Sequence, residues 1–140
     1  MTLNKLLIAG GLFAATLPAM AGALTVELAV PEGSEGKVFA ALFDGPDQFP
    51  KKGSEKFGQI APNRGARVKL VFSDLPPGRY AISAFLDRNG NEALDTNILG
   101  IPKEPYGFSR DARGTMGPPG FADAAFEHDG KDQKISIELK

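Results

Sequence analysis

The run Asp87-Arg88-Asn89-Gly90-Asn91-Glu92-Ala93-Leu94-Asp95 puts oxygen-bearing side chains at alternate positions and closes on a carboxylate. That chemistry suits a hard cation. Calcium takes about six to eight oxygen ligands, and a loop with Asp or Asn at its first, third, fifth and ninth positions can curl around one ion. Asp87, Asn89, Asn91 and Asp95 stand at those positions, and the backbone carbonyl of Ala93 is a further candidate ligand. Four side chains do not complete such a shell, so Asn97 or Glu104 is expected to contribute. The loop is not an EF-hand. Glu92 stands sixth, where that motif uses Gly, and Ile98 stands twelfth, where it uses a bidentate Glu. The alternative is an ion-free turn in which Asp and Asn cap backbone N–H groups and Asn89-Gly90 supplies a positive φ.

A second group, Lys103, Tyr106, Phe108 and Ser109, follows in a segment rich in Gly and Pro. Rings beside polar neighbours could form a ligand surface for a sugar or a peptide. The other reading, preferred for a segment without periodicity, makes Tyr106 and Phe108 plugs that pin the loop onto the fold. Catalytic residues are not expected. His128, the single histidine, sits beside Asp129-Gly130 and reads as a solvated turn residue, while Ser73, Ser83 and Ser109 have no histidine nearby in sequence and no nucleophile-elbow pattern. Carboxylate pairs such as Asp87 with Asp95, or Glu104 with Asp111, keep glycoside hydrolysis as an alternative.

The elements that must carry these residues read as strands. Residues 24–30 alternate in period two, and residues 37–43 are apolar on both faces, as a central strand would be. In residues 66–72, Val68, Leu70 and Phe72 share one face and Arg67 and Lys69 the other. Ser73-Asp74-Leu75-Pro76-Pro77-Gly78 then forces a turn. Residues 79–86 form the strand that ends on Asp87, with Tyr80 read as a tyrosine-corner residue whose hydroxyl bonds a nearby turn. Arg67, Lys69 and Arg79 are expected on a solvated face. Residues 121–127 and 133–139 close the chain as a hairpin turned at residues 128–131. Residues 44–65 and 96–120 lack periodicity and read as two long loops, the first either lining a site or solvated. The expected fold is all-β: an antiparallel sandwich of about six to seven strands, immunoglobulin-like or transthyretin-like.

Residues 1–23 have the parts of an export signal: Lys5, an apolar run from Leu6 to Leu17, and small residues through Ala19-Met20-Ala21-Gly22-Ala23. Cleavage is expected after Ala21 or Ala23, leaving residues 24–140 as one domain. Lys5 is the only charge in that segment, so the remainder has one basic group fewer than the whole chain's 16, against 17 acidic groups. A net charge of about −2 points away from nucleic acid and from anionic membrane surfaces. The chain has 0 cysteines, which excludes disulfides, thiolate metal sites and a cysteine-linked lipid anchor. The expected localisation is periplasmic or secreted, without stable membrane insertion once the signal is removed.

Three motifs in order, Leu75-Pro76-Pro77-Gly78-Arg79-Tyr80-Ala81-Ile82, then Asp87-Arg88-Asn89-Gly90-Asn91 through Leu94-Asp95-Thr96-Asn97, then Gly100-Ile101-Pro102-Lys103-Glu104 through Tyr106-Gly107-Phe108-Ser109, resemble a bacterial secreted family called domain of unknown function 2141. Gly117-Pro118-Pro119 and Phe121-Ala122-Asp123-Ala124 extend the resemblance. It implies a small exported β-sandwich with no established activity. Glu92 and Ala93 depart from the Gly and the polar or basic residue expected there. The expected function is a non-enzymatic module of the bacterial cell envelope, stabilised by calcium in the Asp87 to Asp95 loop and acting by binding an envelope ligand or protein. The alternatives are a small carbohydrate-active or hydrolytic domain using loop carboxylates, and an assembly protein pairing through exposed strand edges.

Overall fold

The computed structural model describes residues 21–140, so the export signal expected over residues 1–23 lies, but for its last three residues, outside the described residues. Eight strands are present among the described residues: Gly22–Ala29 (β1), Lys37–Phe43 (β2), Phe57–Pro62 (β3), Arg67–Leu75 (β4), Gly78–Asp87 (β5), Tyr106–Phe108 (β6), Phe126–His128 (β7) and Gln133–Glu138 (β8). They form the expected β-sandwich. One sheet runs β4-β1-β8 and the other β3-β2-β5-β6, with β7 also pairing with β5. All pairs are antiparallel except β1 with β8.

Alternation builds the main core. Leu24, Val26 and Leu28 of β1 and Val68, Leu70 and Phe72 of β4 point inward against Val38, Ala40 and Leu42 of β2 and Ile82, Ala84 and Leu86 of β5. The outward residues Phe43 and Ala81 are also buried, because Phe49, Phe108 and Ala124 cover them in a second cluster. On the outer face of β2, Phe39 stacks on Phe85 at 5.1 Å between centroids, while that cluster accounts for Ala41 and Phe43. Rings meet there edge-on, Phe43 with Phe49 at 5.3 Å and Phe49 with Phe108 at 5.8 Å between centroids, a geometry favoured by the ring quadrupoles.

Four expectations are corrected, the first being the single long loop over residues 96–120, within which Tyr106–Phe108 pairs with β5 as β6. Residues 44–65 are not one long loop, since Phe49 plugs the second core and β3 forms at the sheet edge. An edge strand buries little, which erased the period-two signal from Phe57-Gly58-Gln59-Ile60-Ala61-Pro62. Residues 121–127 are not one strand either: Phe121–Ala124 (α1) is a helical turn that sets Phe121 and Ala124 on the second core, a three-residue spacing natural to a helix. Nor do β7 and β8 form a hairpin, for β7 joins β5 and the chain then crosses to lie parallel to β1. His128 is consequently buried, 2% exposed, with Nδ1 2.8 Å from Gln133 Oε1 and Nε2 3.0 Å from the Leu75 carbonyl.

Tyr80 is buried and its hydroxyl donates to the Pro76 carbonyl at 2.8 Å, closing the Pro76-Pro77-Gly78 turn. Along one margin the sheets are tied by reciprocal bonds between Tyr106 and Lys140, 3.0 and 3.1 Å. Among the described residues, no helix is long and apolar enough to cross a membrane.

Candidate functional site

Strand β5 delivers Asp87 to the edge of the sandwich, and the start of β2 lies across it. Gly36 makes that contact possible: with φ 124°, it sits where an added Cβ would fall 2.1 Å from the Asp87 carbonyl oxygen. The Asp87 side chain is 2% exposed although it is a carboxylate. Burial without a partner would cost several kcal/mol, roughly, and two backbone amides prevent that. Gly90 N–H donates to Oδ1 at 3.0 Å and Glu92 N–H to Oδ2 at 2.9 Å. The chain therefore curls around Asp87, with Gly90 at φ 75° and Glu92 at φ 60°.

Above Asp87 the loop closes on itself. Asn89 Oδ1 accepts from Asn91 N–H at 3.2 Å, and Asn91 Oδ1 accepts from Ala93 N–H at 3.1 Å. Both side-chain amides then donate to the Asp95 carboxylate, Asn89 to Oδ2 and Asn91 to Oδ1. Glu104 joins the loop from nine residues beyond Asp95. Also buried, it accepts from Asp95 N–H at 3.0 Å through Oε1 and from Arg88 N–H at 2.5 Å through Oε2. It staples the two ends of the loop.

The five residues named for a cation are thus brought together, and of the two remote candidates only Glu104 reaches them. Asn97 instead caps its own turn, its Oδ1 accepting from Leu99 N–H at 2.9 Å and Ile101 N–H at 3.0 Å. In this arrangement the loop is closed by its own hydrogen bonds. The two Asn side chains face Asp95 with N–H groups, and Asp87 and Glu104 each have both oxygens engaged by amides. Among the described residues no three acidic, histidine or cysteine side chains converge closely enough to hold a metal ion.

Of the second group, Lys103 is exposed and Tyr106 is half-buried beneath Arg113, whose guanidinium carbon lies 4.7 Å from the ring centroid. Phe108 and Ser109 are buried, which removes both from any ligand surface. Phe108 packs in the second core, while Ser109 Oγ donates to the Ala124 carbonyl at 2.5 Å and accepts from Ile82 N–H at 2.9 Å. Asp111 is likewise engaged, accepting from Glu138 N–H at 2.9 Å. A shallow depression of about 240 Å³ between Lys37 and Asp87–Gly90 adjoins the loop, smaller than the ~300–1,000 Å³ of typical small-molecule sites.

Two contributors gave no local sequence signal. Lys52 Nζ donates to the Glu92 carbonyl at 2.9 Å across 40 residues, and Gly36 permits the approach of β2. Elsewhere Glu27 on β1 is gripped by Lys134 Nζ at 2.7 Å and Arg67 Nη1 at 2.6 Å, so Arg67 is ion-paired on its solvated face. The hydrogen bonds from Lys134 and then Arg67 hold the Glu27 carboxyl down to about 2 from the ordinary 4.5.

A family model described as an uncharacterized protein conserved in bacteria, DUF2141, matches residues 26–136. No curated protein and no solved structure matches the chain. The matched span begins inside β1, ends inside β8 and takes in the whole Asp87–Glu104 region, and the chain therefore belongs to the DUF2141 family of bacterial proteins.

Proposed function

We propose that this chain is an exported, non-enzymatic β-sandwich module of the bacterial envelope that acts by binding through the end carrying residues 87–104. The carrying observation is the Glu104 staple, which fixes Arg88 and Asp95 to one buried carboxylate and so presents the loop in a single shape. Preorganisation of that kind lowers the ordering cost of binding. The shallow relief near Asp87 and the engagement of Asp87, Glu104 and Asp111 by amides favour this over hydrolysis, which needs two carboxyls free to face one substrate.

Calcium belongs to the proposal as a stabiliser of the loop. It requires the Asn89 and Asn91 amides to turn their oxygens toward the ion, beside Asp87, the Ala93 carbonyl and Asp95. Calorimetric titration of the wild type with Ca²⁺ should give heat and a raised melting temperature, both lost in Asp87→Ala and Asp95→Ala. Absence of heat and of a thermal shift removes calcium and leaves the hydrogen-bonded turn.

Export carries its own test. Gly22 pairs with Leu75, and Ala23 N–H donates to Asp132 Oδ1 at 2.9 Å, so both belong to β1. Cleavage after Ala21 keeps these contacts and cleavage after Ala23 discards them. Intact mass of the exported protein should place Gly22 first.

One observation favours a second reading, assembly by strand pairing. Strand β3 is an edge strand without a charged residue, and it exposes Phe57 (44%) and Ile60 (57%). The bond from Asn63 N–H to the Gly36 carbonyl sets the ladder phase, which turns the N–H groups of Gly58 and Ile60 outward. Light scattering would test it: a dimer that Gly58→Pro converts to monomer supports assembly, and a monomeric wild type rules out self-pairing.

A further inference from the structure

The chain from Thr96 to Lys103 is a small hairpin with an unusual surface. Thr96 and Pro102 form an antiparallel bridge, and the tip between them displays Ile98 at 102% exposure, Leu99 at 78% and Ile101 at 56%. Three large apolar side chains within four residues, all in water, form a patch that folding alone does not require. The tip is nevertheless well ordered by its own bonds. Asn97 N–H donates to the Ile101 carbonyl and Gly100 N–H to the Asn97 carbonyl, both at 2.9 Å, while Asn97 Oδ1 takes the N–H groups of Leu99 and Ile101.

That bonding pattern narrows what the tip can meet. Pairing with a partner's strand needs free backbone N–H groups, and between Asn97 and Pro102 only Ile98 has one without a partner among the described residues. Entry into the interfacial layer needs no free donors, since apolar side chains go in while unpaired backbone groups stay at the hydrated headgroups. Every N–H of the tip but that of Ile98 is bonded internally, and its apolar side chains project outward. Its only charge is Lys103, exposed just past Pro102, where the long stem can lift the ammonium toward lipid phosphates.

We infer that the Ile98-Leu99-Gly100-Ile101 tip is a reversible anchor that dips into the interfacial layer of a lipid bilayer. The inference rests on the reading of this end as the binding surface and names what it binds, without requiring calcium. The drive is apolar burial of three side chains, so the protein's small net negative charge does not oppose it. Attachment is peripheral, by one loop, and no segment spans the membrane.

The chain starting at Gly22, which carries all eight strands, is mixed with phosphatidylcholine vesicles, with and without phosphatidylglycerol, in EDTA and in Ca²⁺. The wild type should co-sediment with both lipids in both buffers. Leu99→Asp and Ile98→Asp should each weaken partitioning by at least about tenfold with no change in melting temperature, since both side chains already lie in water. The protein has 0 tryptophans, so Leu99→Trp gives a single reporter whose emission should shift to the blue on vesicles. An unshifted emission at millimolar lipid, Asp variants that bind like the wild type, or binding confined to anionic vesicles would each overturn the anchor. Failure on vesicles together with a calcium heat would leave the binding module intact with another ligand. Failure of the calcium titration alone would leave the anchor standing.

Discussion

Asp87 and Ile98 stand eleven residues apart and are inverted with respect to water: the carboxylate is 2% exposed and the isoleucine 102%. Both sit in turns closed by a side chain that accepts two backbone N–H groups, Asp87 from Gly90 and Glu92, Asn97 from Leu99 and Ile101. The same device thus serves opposite ends. In the first turn the acceptor is charged and buried, so the local backbone is committed to one conformation by a group that is costly to leave unpaired. In the second the acceptor is neutral and the apolar residues it positions contribute nothing to the core. One turn holds the fold, and the other is held out from it. Glu104 links them, because the residue it secures, Asp95, also accepts the Lys103 N–H at 2.7 Å beneath the tip.

The contrast breaks first at Asp87. Asp87→Ala strands two amides at the end of β5 and should destabilise the domain by about 3 kcal/mol in chemical denaturation, with Glu104→Ala somewhat less severe at about 2 kcal/mol because Glu104 is less deeply buried than Asp87. A loss below about 1 kcal/mol in both would mean the staple is decorative. Glu92 should move the other way. Its φ of 60° is strained for a residue with a Cβ, so Glu92→Gly is expected to stabilise by roughly 0.5–1 kcal/mol, read as a raised denaturation midpoint; a lowered midpoint would show that the Glu92 side chain contributes more than its backbone costs.

Glu27 sharpens the comparison, since that carboxylate is satisfied by cations instead of amides. With its folded value depressed to about 2 from 4.5, its contribution is complete above pH 4.5 and is lost as pH falls toward 2. In Glu27→Gln the acid limb of the stability profile should flatten across that window. An unchanged limb in Glu27→Gln would assign acid unfolding to other carboxylates. The smallest effect belongs to the tip: Ile98→Ser should shift unfolding by less than about 0.5 kcal/mol, and a larger loss would show that the tip packs on the domain.

Much of the scaffold is legible in residues alone. Strands β1, β2, β4, β5 and β8 announce themselves because each buries a full face, so Val68, Leu70 and Phe72 must alternate with Arg67, Lys69 and Val71. The corner at Tyr80 is readable from Pro76-Pro77-Gly78, whose dihedrals leave few paths. Strand β3 is not readable, for an edge strand with Phe57 and Ile60 in water carries no alternation, and α1 is hidden because two apolar residues three apart fit a strand or a helix in so short a run. The burial of His128 is hidden for a related reason: it depends on Leu75 and Gln133, one of them 53 residues away.

By itself the sequence determined that Asp87, Asn89, Asn91 and Asp95 would form one turn at a strand end, since their spacing and the Asn89-Gly90 step are local properties of the chain. It also determined the sandwich, through apolar alternation that only two facing sheets can bury. Tertiary structure alone decided which remote carboxylate would complete that turn. Asn97 and Glu104 are equally plausible by distance along the chain. Asn97 is consumed by its own hairpin, whereas the bond between Leu86 N–H and the Pro105 carbonyl at 2.9 Å draws the residue before Pro105 against β5 and buries Glu104 beside the backbone of Arg88.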